Sequence, residues 1–247
     1  MRLAHALLGS VILVLNGCQV PLRVPLGVPL PPVGGARPAT PGGIFAGASF
    51  GDGLWGQEQL RAEMAGYRAG LTAGDRVALE IFGQTTTRSV SDSLGGSESP
   101  PMTEGVAVTV RLIGFDDGRG ALGMRLARSA ADRSSDPLQD DQLVVLDLAI
   151  PLEYRPLSRD SIVDTRLSLH AGPRFVHQTF DQGALGPETR GTAFGGFLGV
   201  GGRWRYLSIT GEAAVVRTPS LLVGGTASPP GWILLPSLDL TAVVPLW

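Results

Sequence analysis

Beyond residue 43, apolar residues recur at every second position through most of the chain. Val106, Val108, Val110 and Leu112 share one parity, with Thr109 and Arg111 on the other. Val77, Leu79 and Ile81 oppose Arg76, Ala78 and Glu80, and Leu122, Met124 and Leu126 oppose Gly123 and Arg125. The same rhythm sets Val144, Leu146, Leu148, Ile150 and Leu152 against Asp147 and Glu153. It sets Leu167, Leu169, Ala171 and Phe175 against Arg166, Ser168, His170 and Arg174. Further on, Leu207, Ile209, Ala213 and Val215 oppose Ser208, Thr210 and Glu212, and Leu238, Leu240, Ala242 and Val244 oppose Asp239 and Thr241. Successive side chains on a strand point to opposite sides, so each segment has one greasy face and one polar face. The pattern predicts ten strands, at about 44–50, 59–71, 75–84, 105–115, 120–129, 142–153, 163–179, 190–202, 205–217 and 233–247. In the second, the charges of Arg61, Glu63 and Arg68 do not share a parity, which predicts either a bulge there or no regular strand.

The connections alternate between long and short. Gly51–Glu58, 85–104, 130–141, 180–189 and 218–232 are long and polar. Between them fall Thr72-Ala73-Gly74, the tight hairpin signal Asp116-Asp117-Gly118-Arg119, a turn around Arg155–Asp160 and another at Gly202–Trp204. Transmembrane barrels have this two-sided habit, with brief turns at one end and longer loops at the other. Aromatic residues follow it. Phe115, Tyr154, Trp204, Tyr206 and Trp247 fall at strand ends on the short-turn side, and Phe50, Trp55, Phe180 and Trp232 on the other. Amphipathic rings belong at the two interfaces of a membrane.

The fold expected is therefore all-β: a closed, antiparallel, up-and-down transmembrane barrel of about ten strands. Hydrocarbon would bathe the apolar faces and the polar faces would fill the lumen. The opposite arrangement, a soluble periplasmic lipocalin-like barrel with an apolar cavity, gives the same alternation. In the transmembrane arrangement the lumen would hold Arg76, Arg111, Arg125, Arg166 and Arg174 against Glu80, Asp147, Glu153, Asp164, Glu212 and Asp239, with His170 among them. A near-balanced set suggests an interlocked polar core rather than an ion-selective pore, because buried charges are tolerated when paired. Barrels of this size are filled by their own side chains.

The amino terminus has the layout of a secretory signal: Met1-Arg2, then an apolar stretch from Ala6 to Leu15. That stretch ends in Leu15-Asn16-Gly17-Cys18, which resembles the bacterial lipobox. The resemblance implies cleavage after Gly17 and acylation of Cys18, each buried methylene adding about 0.8 kcal/mol of membrane affinity. Asn16 departs from the small residue usual at its place. Gln19 after Cys18 is compatible with sorting to the outer membrane. From there to Gly43 the chain carries Pro21, Pro25, Pro29, Pro31, Pro32, Pro38 and Pro41, an extended, semi-rigid linker. The domains expected are a signal peptide at 1–17, a lipidated cysteine with a proline-rich linker at 18–43, and a barrel at 44–247. Ten strands put both ends of the barrel on the short-turn side, where a periplasmic linker enters.

The last strand, Leu238 to Trp247, resembles the carboxy-terminal signal of outer-membrane barrel proteins, which ends in an aromatic residue. That resemblance implies a Gram-negative outer membrane and recognition by barrel-assembly machinery. The stronger apolar register here is offset by one from the usual pattern, and Pro245 removes a ladder hydrogen bond.

Composition narrows the function classes. Only 17% of residues are charged and 43% are hydrophobic, with 35 Gly and 19 Pro, as suits many short strands and turns. A net charge of −2, with no basic tract, argues against a nucleic-acid partner. One cysteine excludes an internal disulfide, and only three His accompany it, so neither a metal nor another cofactor is expected. Some ten-stranded outer-membrane barrels are omptin-type proteases and others are adhesins. Ser168 and His170 share one face, but no acid-containing motif surrounds them. The reading is a non-enzymatic barrel lipoprotein of structural or surface-interaction type. Its partners would be outer-membrane lipid and an extracellular partner on the long loops. The alternatives are a small-solute or lipid-handling barrel and, last, a hydrolase or acyltransferase using His170.

Overall fold

A computed structural model describes residues 32–36, 42–55, 61–89, 103–116, 118–132, 142–157, 165–181, 189–218, 222–223, 226–227 and 231–246. The signal segment, Cys18 and Trp247 lie outside them. The strands are β1 (Gly43–Trp55), β2 (Arg61–Ala73), β3 (Val77–Ser89), β4 (Thr103–Phe115) and β5 (Gly120–Asp132). They continue as β6 (Gln142–Ala149), β7 (Leu152–Leu157), β8 (Thr165–Asp181), β9 (Thr189–Trp204) and β10 (Leu207–Thr218). A two-residue ribbon, β11 (Leu222–Val223) with β12 (Thr226–Ala227), precedes β13 (Gly231–Pro245).

All neighbours in the barrel are antiparallel, and β1 pairs with β13 to close it. The ten staves expected from the sequence are present, the sixth being broken at Ile150-Pro151 into β6 and β7. Pro151 has no N–H to give the ladder, but its carbonyl accepts from Gly123 N–H at 2.8 Å. The closing seam likewise skips Pro236 between the pairs Gly51–Ser237 and Leu54–Leu234.

The Gly- and Ala-rich segments are full strands, β1, β2 and β9. The bulge expected in β2 is absent: its register runs unbroken against both β1 and β3. Arg68 points inward and Glu63 outward, so the mixed parity reflects one charge on each face. Register shifts lie instead in β4, between Arg111 and Ile113, where Leu112 and Ile113 are both exposed, and in β7, between Tyr154 and Leu157. The turn after β9 falls at Arg205-Tyr206, beyond the expected Gly202–Trp204, with Arg205 at φ +51°.

The apolar faces point outward. Leu79, Ile81, Val106, Leu126, Leu169, Leu198, Ile209 and Leu240 are exposed, as are their counterparts on the other staves. This removes the lipocalin-like arrangement, in which those side chains would line a cavity. Phe115, Tyr154, Trp204 and Tyr206 are exposed at the turn end, and Phe50 and Trp232 at the loop end. Arg205 lies over Trp204 and Arg217 over Trp232, so a cation caps a ring at each edge of the apolar band. An open sheet in hydrocarbon would strand its edge groups, and closure satisfies them.

Candidate functional site: a sealed lumen

The inward faces build three levels. At the loop end, Met64, Leu143, Val145, Val176, Phe197, Val216 and Leu235 pack into an apolar cluster. Halfway down, charged side chains from seven strands form a continuous belt. At the turn end lies a small polar vestibule.

The belt begins at Asp239 on β13, which meets Arg68 Nε on β2 at 3.0 Å. Arg68 lies 3.7 Å from Glu80 on β3, and Glu80 accepts from Arg125 on β5 at 3.2 Å. Arg125 lies 3.4 Å from Asp147 on β6. Asp147 accepts two hydrogen bonds from Arg174 on β8, at 3.0 and 2.7 Å, the paired geometry that suits a planar guanidinium. Arg174 is 4.0 Å from Glu212 on β10, and Glu212 lies 3.3 Å from His170 Nε2. The side chains of Arg125 and Arg174 are each only 1% exposed. Such charges persist in a dry interior only because each has a partner. Thr241 adds a hydroxyl hydrogen bond to Asp239, and the rings of Phe45 and Phe82 lie beneath the guanidinium groups of Arg68 and Arg125.

The structure joins Glu80, Arg125, Asp147, His170, Arg174, Glu212 and Asp239 in this belt. Other residues expected in the lumen lie off this belt. Glu153 is buried nearer the turn end and pairs with Arg155. Arg111 pairs with Asp75 at the rim. Arg76 is exposed in the turn after β2 and belongs to no lumen network, because the strand begins one residue later. The side chain of Arg166, and Asp164, lie outside what the structure describes.

Two components escaped the sequence reading. One is Arg68, hidden by the mixed charge parity of β2, although Gly66, Gly70 and Thr72 share its face. The other is the linker itself. Pro32, Val33 and Ala36 are buried, Val33 at 4% exposure and Ala36 at 0%. The N–H groups of Val33 and Gly34 each donate to a Glu212 carboxylate oxygen at 2.9 Å. The segment then passes Glu153 on β7 and reaches the wall at β5. There a Cβ on Gly123 would lie 2.8 Å from the Ala36 carbonyl oxygen and 2.9 Å from its Cα. Only glycine leaves that room. The signal for it was an inward glycine two residues from Arg125, unremarkable without knowing what lies against it.

Beneath the segment is a cavity of about 100 Å³, lined by Glu80, Thr109, Glu153, Arg155, Ser208 and Thr210 among others. That is room for a few waters. His170 Nε2 faces Glu212, while the Ser168 hydroxyl donates to the Gly201 carbonyl at 3.4 Å. The hydroxyl and the imidazole thus share a face without meeting each other.

No protein-family model and no curated protein matches the chain. Solved structures similar to it include the translocator domain of autotransporter NalP from Neisseria meningitidis, at 12% identity and TM-score 0.40, covering 82% of this chain and 88% of that one. Ail, the attachment invasion locus protein of Yersinia pestis, matches at 8% identity and TM-score 0.35, covering 82% and 97%. OmpT, an outer membrane protein of Vibrio cholerae, matches at 14% identity and TM-score 0.35, covering 74% of this chain and 56% of that one.

Proposed function

We propose that this chain is an outer-membrane barrel lipoprotein of structural or surface-interaction type, without catalysis. Acyl chains on Cys18 anchor it a second time, and both barrel ends face the periplasm. The observation that carries the reading is the sealed lumen inside an apolar shell. The belt, the Pro32–Ala36 segment and the loop-end cluster fill the interior. A barrel built this way offers its outer wall to lipid and its loop-end connections to an external partner. The small vestibule favours this over a solute-conducting reading.

Three measurements test it. Purified chain inserted into planar bilayers is expected to be electrically silent; reproducible open channels would overturn the sealed reading. A Cys18→Ser chain lacking residues 1–17 should aggregate without detergent, and a folded monomer in plain buffer would sink the membrane assignment. The lipid composition of cells carrying His170→Ala should match that of cells with the unaltered chain; a changed profile would defeat the non-catalytic part.

A further inference from the structure

Segment 32–36 takes no part in the strand ladder, yet the lumen is shaped around it. Glu212 presents both carboxylate oxygens to two successive backbone N–H groups, a recognition of main chain rather than of any side chain. Gly34 sits at φ +74°, a conformation that side chains rarely adopt, and it turns the segment across the lumen. Gly35 lies against the Glu153 carboxylate, and Ala36 against Gly123 on β5. Val33 joins the base of the apolar cluster. The wall thus supplies one carboxylate clamp, one cleared position and one apolar seat, all matched to a short peptide that turns at a glycine.

The barrel does not need this occupant to keep its charges paired. Arg174 holds Asp147 by two hydrogen bonds, and Arg125 bridges Glu80 and Asp147. Glu212 keeps His170 and Arg174 as neighbours. The seam between β1 and β13 closes without contribution from the segment. Its departure would break two hydrogen bonds and uncover Pro32, Val33 and Ala36, while leaving every pair of the belt in place.

We propose that the lumen is a binding site for a short peptide backbone, and that Pro32–Ala36 is its resident, displaceable occupant. Release would join the space it fills to the vestibule beneath, which Val33, Gly34 and Gly35 now roof. The occupant is tethered to β1 by few residues, so its local concentration is high and the bound state prevails.

The test reads the amides of Val33 and Gly34 by hydrogen exchange in the full chain, folded in detergent micelles. They should exchange slowly in the unaltered protein and about 100-fold faster in Glu212→Ala, the loss expected from two hydrogen bonds to a charged acceptor. Gly123→Val should speed them as well, since its side chain needs the space of Ala36 while changing no charge. In both variants the ladder amides of Leu198 and Ala213 should stay protected, which separates release from unfolding. A second arm, in a Cys18→Ser background, inserts a protease site between residues 37 and 41. After cleavage the amino-terminal fragment should remain with the barrel through gel filtration. It should be lost from the Glu212→Ala and Gly123→Val forms. Freely exchanging amides in the unaltered chain, or a fragment whose retention ignores both substitutions, would overturn the proposal. Neither result touches the outer-membrane reading, which conductance and detergent dependence test separately.

Discussion

Toward the loop end the lumen is filled by Met64, Leu143, Val145, Val176, Phe197, Val216 and Leu235, whereas halfway down it is crossed by paired charges from seven strands. Both halves fill the lumen, by different means. In the upper half, the apolar side chains of the cluster pack by shape and carry no charge that needs a specific partner. In the belt every member depends on its neighbours, so the loss of one strands another. The contrast also explains a feature of the sequence. Alternation is clean where the inside is polar and fails where it is apolar, as in Leu143-Val144-Val145-Leu146, Ala213-Ala214-Val215-Val216 and Ile233-Leu234-Leu235. In those runs one residue faces outward and the next meets the cluster.

The comparison is broken most severely by removing a belt member. Arg174→Ala leaves Asp147 and Glu212 buried with too little positive charge, and should cost about 3–5 kcal/mol. Guanidinium unfolding in lipid vesicles measures it; a loss under 1 kcal/mol would mean that water enters the belt. A smaller effect is expected from Phe197→Ala in the upper half, about 3 kcal/mol from the lost transfer energy and the cavity left behind. The two should also differ in kind. Phe197→Leu should recover most of the loss, while Arg174→Lys should recover little, because an ammonium does not reproduce the two-bond contact with Asp147. Smallest is Arg111→Ala at the turn-end rim. Its partner Asp75 is half exposed, so the pair should be worth at most about 1 kcal/mol and lose that in salt. A large, salt-insensitive effect there would place Arg111 in the belt after all.

Strand number, closure and the face of most side chains were legible because period-two alternation is a local property that survives most tertiary contexts. The inward placement of Arg125, Asp147, Arg174, Glu212 and Asp239 follows from parity alone. Parity says nothing of depth along the barrel. Arg76, Arg111 and Glu153 have parities like those of the belt residues, yet they end in a turn, at the rim and beside the vestibule. Depth depends on strand tilt and on where each turn falls, and a two-residue shift at the β2–β3 turn was enough to expel Arg76. Arg68 was obscured for the opposite reason, because an outward glutamate five residues earlier disguised its face.

What the chain determines unaided is which residues share a side, since that is written in the spacing of neighbours. Which of those residues touch, and that a proline- and glycine-rich linker folds back to fill the space they leave, was decided only when the sheet closed. Closure brings β10 and β5 to opposite walls of one lumen, and a carboxylate on the first and a missing side chain on the second acquire meaning only across that gap.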